Sequence, residues 1–283
     1  VRISLLVNTH RPDAIDAARE VARSLADRGV AAVTGVECGP LLDVPEVPLD
    51  DLARSDLVVT FGGDGMLIYA AHLCSATGAP ILGVHYGRFG FVTQCAPEEA
   101  APALRKFLEG RASYDRRMMV KTDIVRQGKV VATLHSLNEA VVQRAATTRM
   151  LTFDVTVDGQ RLTRYPADGV MVATPTGSTA YNLSAGGPIL DPSMQAMLLT
   201  AITPHTLSAR PLVLRPEAEV VIAMETRGDA VLSCDGQSRL QLLSGDSVRI
   251  VRSERETCLV MVDEHDFLAK LRDRLLWSRG VVP

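Results

Sequence analysis

Over the first hundred positions, apolar residues come in short, nearly unbroken runs separated by segments with helical spacing. Arg2-Ile3-Ser4-Leu5-Leu6-Val7-Asn8 reads as a strand buried on both faces. Pro12 and Asp13 then open a helix that sets Ile15, Ala18, Ala22 and Leu25 on one side, and Gly29 closes it. Val30 to Gly35 supplies a second strand, and the proline-punctuated stretch from Gly39 to Asp51 reads as a loop. A third run, Leu57-Val58-Val59-Thr60-Phe61, ends in Gly62-Gly63-Asp64-Gly65, with helix formers from about Met66. Pro80 to His85 is a further strand, and Pro97 to Gly110 a helix. Strands alternating with helices predict a parallel sheet covered by helices, with ligands bound at the carboxyl ends of the strands.

Near Arg117 the pattern changes to short runs of period two. Met119–Gln127, Val130–Val142, Leu151–Val157, Val170–Thr174, Val213–Leu214, Val220–Glu225, Val231–Cys234, Ser247–Val251 and Thr257–Val262 all read as strands. Asp158-Gly159 between two of them is a hairpin signal, because both residues accept positive φ. One helix is expected in this half, at Ser193–Thr203. Helical spacing returns from Asp263 to Trp277, with Phe267, Leu268, Leu271, Leu275 and Leu276 on one face. That face must be buried, and the first half is the natural place for it. The expected architecture is therefore an α/β N-terminal domain with a parallel sheet, residues 1–117 and 263–283, and a β-rich C-terminal domain, residues 118–262. The C-terminal helix returns to the first domain.

Composition narrows the function classes. The 283 residues are 47% hydrophobic and 22% charged, ordinary for a globular protein. A net charge of −3 and a pI near 6.1 give no electrostatic footprint for nucleic acid. No apolar run reaches the ~20 residues of a membrane span, and no signal-peptide pattern is present, so no membrane and a cytoplasmic location are expected. Cys38, Cys74, Cys95, Cys234 and Cys258 are scattered without a C-x-x-C pair, and the histidines form no H-E-x-x-H, which argues against a disulfide framework and a histidine-held metal.

Two stretches carry candidate chemistry. In Gly62-Gly63-Asp64-Gly65 three glycines allow a sharp turn, positive φ and close approach to a ligand, and the following helix suits phosphate oxygens. Asp64 is either a helix cap or an acid with a task, such as holding Mg²⁺ or taking a proton from a hydroxyl. The second stretch, Asp168–Pro188, is a strand running into hydroxyls, glycines and small residues, suited to a polar ligand with ribose and amide groups. Asn138-Glu139 can serve one ligand only at a strand end or a bulge; taken alone it reads as a solvated edge. Gly87-Arg88-Phe89-Gly90-Phe91 could cover a flat ring or a phosphate, and Asp235-Gly236-Gln237 reads as a turn. Neither a Walker A sequence nor a G-x-G-x-x-G is present.

In order, these residues resemble the NAD kinase family, whose Gly-Gly-Asp-Gly, Asn-Glu and Asp-Gly…Thr-Pro-Thr-Gly-Ser-Thr-Ala-Tyr match Gly62–Gly65, Asn138-Glu139 and Asp168–Tyr181. Gly-Gly-Asp-Gly also occurs in lipid kinases and phosphofructokinases; the long third motif is the more specific. The resemblance implies phosphorylation of the 2′-hydroxyl of the adenosine ribose of NAD, with ATP or polyphosphate as donor and Mg²⁺ or another divalent metal bridging the donor phosphates. It makes Asp64 the catalytic base and Gly62, Gly63 and Gly65 the phosphate loop, with Asp64 and Gly65 also touching NAD. Asn138, Thr179 and Ala180 are implied on the adenine side, Glu139 on a ribose, Tyr181 in the ribose pocket and Phe91 on a base. Asp168 would receive the nicotinamide carboxamide from a neighbouring subunit. Thr176, Asn182, Leu183, Ser184, Arg149 and Gln237 complete the NAD-binding set. The family implies a homodimer or homotetramer. The metal ligands stay unassigned. A lipid kinase and a non-catalytic NAD(P)-sensing protein are the alternatives.

Overall fold

The computed structural model describes residues 1–86, 90–93, 95–145, 150–206, 208–225, 230–262 and 267–275. The chain forms two compact units, Val1–Arg116 with Cys258–Pro283, and Arg117–Thr257.

The first unit opens with β1 (Arg2–Val7), α1 (Pro12–Ala26) and β2 (Ala31–Thr34), followed by one-turn helices α2 (Gly39–Leu42) and α3 (Leu49–Leu52) where a loop is expected. It continues with β3 (Leu57–Gly62), α4 (Asp64–Cys74), β4 (Ile81–His85) and α5 (Ala100–Leu108). The strands pair in parallel in the order β2-β1-β3-β4. All six residues of β3 are buried, as a central parallel strand requires. Ile3, Leu5, Leu57, Val59, Phe61, Leu82 and Val84 from the sheet join Ala14, Ala18, Val21, Ala22 and Leu25 of α1 in one core. The connection β1-α1-β2 runs one way along the sheet and β3-α4-β4 the other. The switch point therefore falls between β1 and β3, where open α/β sheets bind ligands.

β5 (Ser113–Arg126) leaves the first unit at Arg116, and the second unit continues with β6 (Lys129–Ser136), β7 (Glu139–Arg144), β8 (Leu151–Val157), β9 (Gln160–Ala167), β10 (Gly169–Ala173), α6 (Tyr181–Ser184), β11 (Met197–Ile202), β12 (Leu212–Leu214), β13 (Val220–Glu225), β14 (Ala230–Cys234) and β15 (Ser238–Leu242). Strand β16 (Ser247–Met261) runs from this unit into the first, where Leu259 pairs with Ile81, and α7 (Phe267–Leu275) follows. One antiparallel sheet has the order β12-β11-β10-β7-β14-β15. Alternate residues Ala140 and Val142, Val170 and Val172, Met197 and Leu199, and Leu232 and Cys234 face a core shared with Phe153, Val155, Val220, Ile222, Val248 and Ile250. That period-two partition is the sandwich signature. Asp158 and Gly159 take φ of 51° and 75°, and the hairpin joins β8 to β9.

Several expectations are corrected. Ser193–Thr203 is not a helix: Met197–Ile202 forms β11, paired with β10 and β12. A six-residue apolar run does not declare its period, and its sheet neighbours decide it. Val130–Val142 is two strands, and Ser247–Val262 is one strand plus a residue. Strand β15 went unread because its sequence, Ser-Arg-Leu-Gln-Leu, is half polar. In α7, Leu271 is buried but Leu268 is 65% exposed, so Leu268 does not share the buried face. Leu276 and Trp277 lie outside the described residues.

Candidate active site

The glycine turn sits at the switch point. β3 ends with Phe61 O accepting from Asn8 N at 3.0 Å and Gly62 O accepting from Tyr86 N at 2.8 Å. Helix α4 starts at Asp64, two residues earlier than expected, with Gly63 as its extended cap at φ −105°. None of Gly62, Gly63 and Gly65 takes positive φ, so the expected backbone reason for glycine fails. Gly62 has a packing reason, since a Cβ there would fall 3.0 Å from Met66 Cβ and 3.5 Å from Asn8 Cβ. At Gly63 and Gly65 a Cβ would meet nothing within 4 Å among the described residues. Glycine at these two positions leaves the backbone bare, as suits a place where a ligand comes close to it.

Asp64 does not cap its own helix. Its Oδ2 accepts from the N–H of Phe91 at 2.9 Å and of Val92 at 3.4 Å, and its Oδ1 accepts from the N–H and the hydroxyl of Thr93 at 2.9 and 2.8 Å. The loop after β4 thus wraps the carboxylate. Gly90 lies against it so closely that any Cβ there would overlap both oxygens. Arg88 and Phe89 of this loop lie outside the described residues, as does Arg149.

In the second unit the candidate residues cluster around Asn138 and Glu139, at the start of β7. Both are buried, 6% exposed, so the solvated-edge reading of this pair is wrong. The turn Asp235-Gly236-Gln237 is more than a turn. Asp235, at φ 51°, accepts the backbone N–H of Leu137, Asn138 and Glu139 at 2.7, 2.8 and 2.9 Å, and its own N–H donates to Glu139 O at 3.0 Å. A carboxylate on successive N–H groups stops the strand at Ser136 and restarts it at Glu139. Gln237 is exposed in the same turn, its N–H donating to Cys234 O at 3.0 Å.

The Thr174–Ser184 loop closes on that segment. Thr174 donates its N–H to Asn138 O at 2.8 Å and its hydroxyl to Leu137 O at 2.5 Å. A Cβ at Gly177 would overlap the Asn138 backbone, so this glycine permits close approach. Thr176 Oγ1 accepts from Arg117, an arginine only 3% exposed that no motif marks as part of a site. Thr179 and Ala180 are half-buried, Leu183 likewise, while Tyr181 and Ser184 are exposed. Asn182 is fully buried, and its amide braces the loop through Ser178 O, Pro188 O and Thr200 Oγ1. At the head of β7 the buried side-chain oxygens Asn138 Oδ1 and Glu139 Oε2 find no hydrogen-bond partner among the described residues. Burial and the nearby Asp235 carboxylate push the Glu139 carboxyl up to about 8, against a single lowering contact from the Tyr181 backbone. Glu139 is then a protonated hydrogen-bond donor at neutral pH.

Asp168 stands apart from this cluster. β10 separates it from Thr174 by six residue steps, roughly 20 Å of extended chain. At its own end of the strand it accepts from Arg144 Nε at 2.8 Å. Among the described residues no three His, Cys, Asp or Glu side chains come together as a metal site.

Residues 48–112 match the family model of the ATP-NAD kinase N-terminal domain, and residues 137–262 match that of the ATP-NAD kinase C-terminal domain. The chain belongs to the NAD kinase family. The NAD kinase of Moorella thermoacetica is 37% identical over 277 residues, covering 97% of this chain and 89% of that one. A yeast NADH kinase solved with NADH superposes with a TM-score of 0.91 at 26% identity, over 100% of this chain and 89% of that one. An NAD kinase of Archaeoglobus fulgidus solved with ATP has the same fold, with a TM-score of 0.78 at 23% identity and 100% of both chains covered. Phosphorylation of NAD to NADP is the activity of this NAD kinase family member, and the lipid-kinase and non-catalytic alternatives fall away.

Proposed function

We propose that the chain transfers the terminal phosphoryl group of ATP to the 2′-hydroxyl of the adenosine ribose of NAD, with Asp64 as the base that orients or deprotonates that hydroxyl. The observation that carries this reading is the Asp64 carboxylate itself, placed at the first turn of α4 at the switch point and held by Phe91 and Thr93 instead of capping its own helix, with glycines on both sides. Bare backbone on both sides of a carboxylate fits phosphate oxygens passing close to the hydroxyl acceptor. Gly62, Gly63 and Gly65 then form the phosphate loop.

In the second unit Asn138 and Glu139, whose buried Oδ1 and Oε2 have no partner among the described residues, are the recognition groups for the NAD side. Thr176, Thr179, Ala180, Tyr181, Leu183, Ser184 and Gln237 surround the ligand, and Asn182 holds the loop in shape. Phe91, whose N–H is spent on Asp64, presents its ring to a base. The family descriptions favour ATP over polyphosphate as donor. Mg²⁺ or another divalent ion would supply charge neutralisation of the donor phosphates. Mg²⁺ is commonly held by one or two carboxylates plus substrate phosphate oxygens, so the donor would bring much of its coordination.

A homodimer or homotetramer is part of this reading: Asp168 lies at the opposite end of β10 from the Thr174–Ser184 loop, which leaves room for a partner's carboxylate to complete the site. Five free cysteines, four of them buried, fit a reducing cytoplasm. The purified protein incubated with NAD, ATP and Mg²⁺ should form NADP. NADP formed from polyphosphate but not from ATP would overturn the donor, and phosphate on any other hydroxyl would overturn the acceptor.

A further inference from the structure

A carboxylate meant to meet one hydroxyl from one direction needs a fixed rotamer, and the loop after β4 supplies it. We propose that Thr93 is the positioning residue for Asp64, tying down Oδ1 so that Oδ2 is the oxygen that faces the substrate hydroxyl. The inference rests on the proposed role of Asp64 as base.

The two oxygens are held unequally. Oδ1 takes both the N–H and the hydroxyl of Thr93, at 2.9 and 2.8 Å, which fills the two lone-pair directions of a carboxylate oxygen. Oδ2 has one short donor, Phe91 N at 2.9 Å, and one long one, Val92 N at 3.4 Å. Its second lone pair is the weakly held one, and a substrate hydroxyl can displace the long contact. Thr93 is itself held at two ends. It is fully buried, and a Cβ at Gly83 of β4 would lie 3.4 Å from its Cγ2, so the methyl rests against the sheet while the hydroxyl points at Asp64. Gly90 lets the loop fold this close, because a side chain there would occupy the carboxylate's space. The sheet thus fixes Thr93, Thr93 fixes Oδ1, and Oδ2 follows.

A fault in that chain moves the base and leaves Asn138 and Glu139 untouched, so it should appear in kcat far more than in KM. The test compares Thr93→Val, Thr93→Ser and Thr93→Ala, alone and in an Asp64→Asn background, by steady-state kinetics with thermal melting of each variant. Thr93→Val keeps the shape and removes the hydroxyl; kcat should fall about 10–100-fold, the scale of a 1 Å misplacement, with KM for NAD within about threefold. Thr93→Ser should restore most of kcat, and Thr93→Val added to Asp64→Asn should cost nothing more. A purely structural Thr93 would lower kcat by the same factor in both backgrounds, and that result overturns the proposal. If Thr93→Val does not fold, Thr93→Ser and Thr93→Ala still differ by the hydroxyl alone, and equal kcat in the two overturns it. Full turnover in Asp64→Asn would instead remove the base assignment, an outcome distinct from a slow Asp64→Asn beside a fast Thr93→Val.

Discussion

Around Asp64 both carboxylate oxygens accept donors from Phe91, Val92 and Thr93, whereas at the head of β7 two buried oxygens, Asn138 Oδ1 and Glu139 Oε2, have no partner among the described residues. The first cluster is complete without a ligand, and the second is not. Unfilled buried polar atoms are costly, so a fold keeps them where a bound molecule will supply the partner. Filled ones hold geometry, which phosphoryl transfer needs more than covalent chemistry. The contrast separates a cluster built for chemistry from one built for recognition, and substitutions in each should affect different kinetic constants.

The largest effect belongs to the chemistry cluster. Asp64→Asn should cut turnover by roughly 10²–10⁴, the range for losing a positioned base, while NAD affinity stays within a few-fold. Titration of the variant with NAD, beside its turnover, checks both halves. A variant that binds NAD far more weakly at normal turnover would break the comparison.

Asp168 offers the next test, because it belongs to neither cluster of its own chain. Asp64→Asn and Asp168→Asn, each nearly inactive alone, should complement when co-expressed. A mixed dimer then has one site with both lesions and one with none. Random mixing makes half the dimers mixed, so about a quarter of wild-type activity should return. No return, with subunit exchange verified by tagged pull-down, would leave Asp168 serving its own chain.

What the sequence made legible follows the range of each interaction. The strands and helices of the first unit announced themselves because β3 and β4 are unbroken apolar runs and α1 has Pro12 at one end and Gly29 at the other. Asp64 and the Asn138-Glu139 pair were visible as motifs. Their supports were not. Asp235 reaches its partners across 96–98 residues, Thr93 reaches Asp64 across 29, and Arg117 reaches Thr176 across 59. Nothing local marks an aspartate in Asp-Gly as a latch, because the same dipeptide at Asp158-Gly159 closes a hairpin. The one available signal was an arginine, Arg117, at the head of the apolar run Met118-Met119-Val120. Likewise β11 turned from expected helix to strand because its pairing with β10 and β12 is not written in its own six residues.

Asp235 is where the recognition cluster can be loosened without touching an NAD-facing side chain. Asp235→Asn keeps the shape but loses the charge that three backbone N–H groups share. Hydrogen bonds to a charged group contribute about 1.5–3 kcal/mol each and are not additive, so a net loss of about 2 kcal/mol or more in urea unfolding is expected. KM for NAD should rise about tenfold with kcat changed less, the signature of lost uniform binding. An unchanged KM would mean that the Leu137–Glu139 backbone is held without Asp235.

The last test leaves turnover aside and reads a slope in stability against pH. Glu139 rises from an ordinary 4.5 to about 8 in the folded chain, through burial first and Asp235 second. Between those two values the folded state holds a proton that the unfolded state has lost. Stability must then fall as pH rises through this window, by at most about 1.4 kcal/mol per pH unit from this group. Below about 4.5 both states are protonated, and above about 8 neither is, so the contribution is constant outside the window. Glu139→Gln is neutral at every pH and removes the slope. Melting temperatures of wild type and Glu139→Gln, measured without ligand from pH 5 to pH 9, should therefore diverge steadily in favour of the variant and stop diverging near pH 8. Parallel curves would mean that Glu139 is ionised in the folded chain at neutral pH, an acceptor and not a donor toward its ligand, and the contrast with Asp64 would lose its sharpest point.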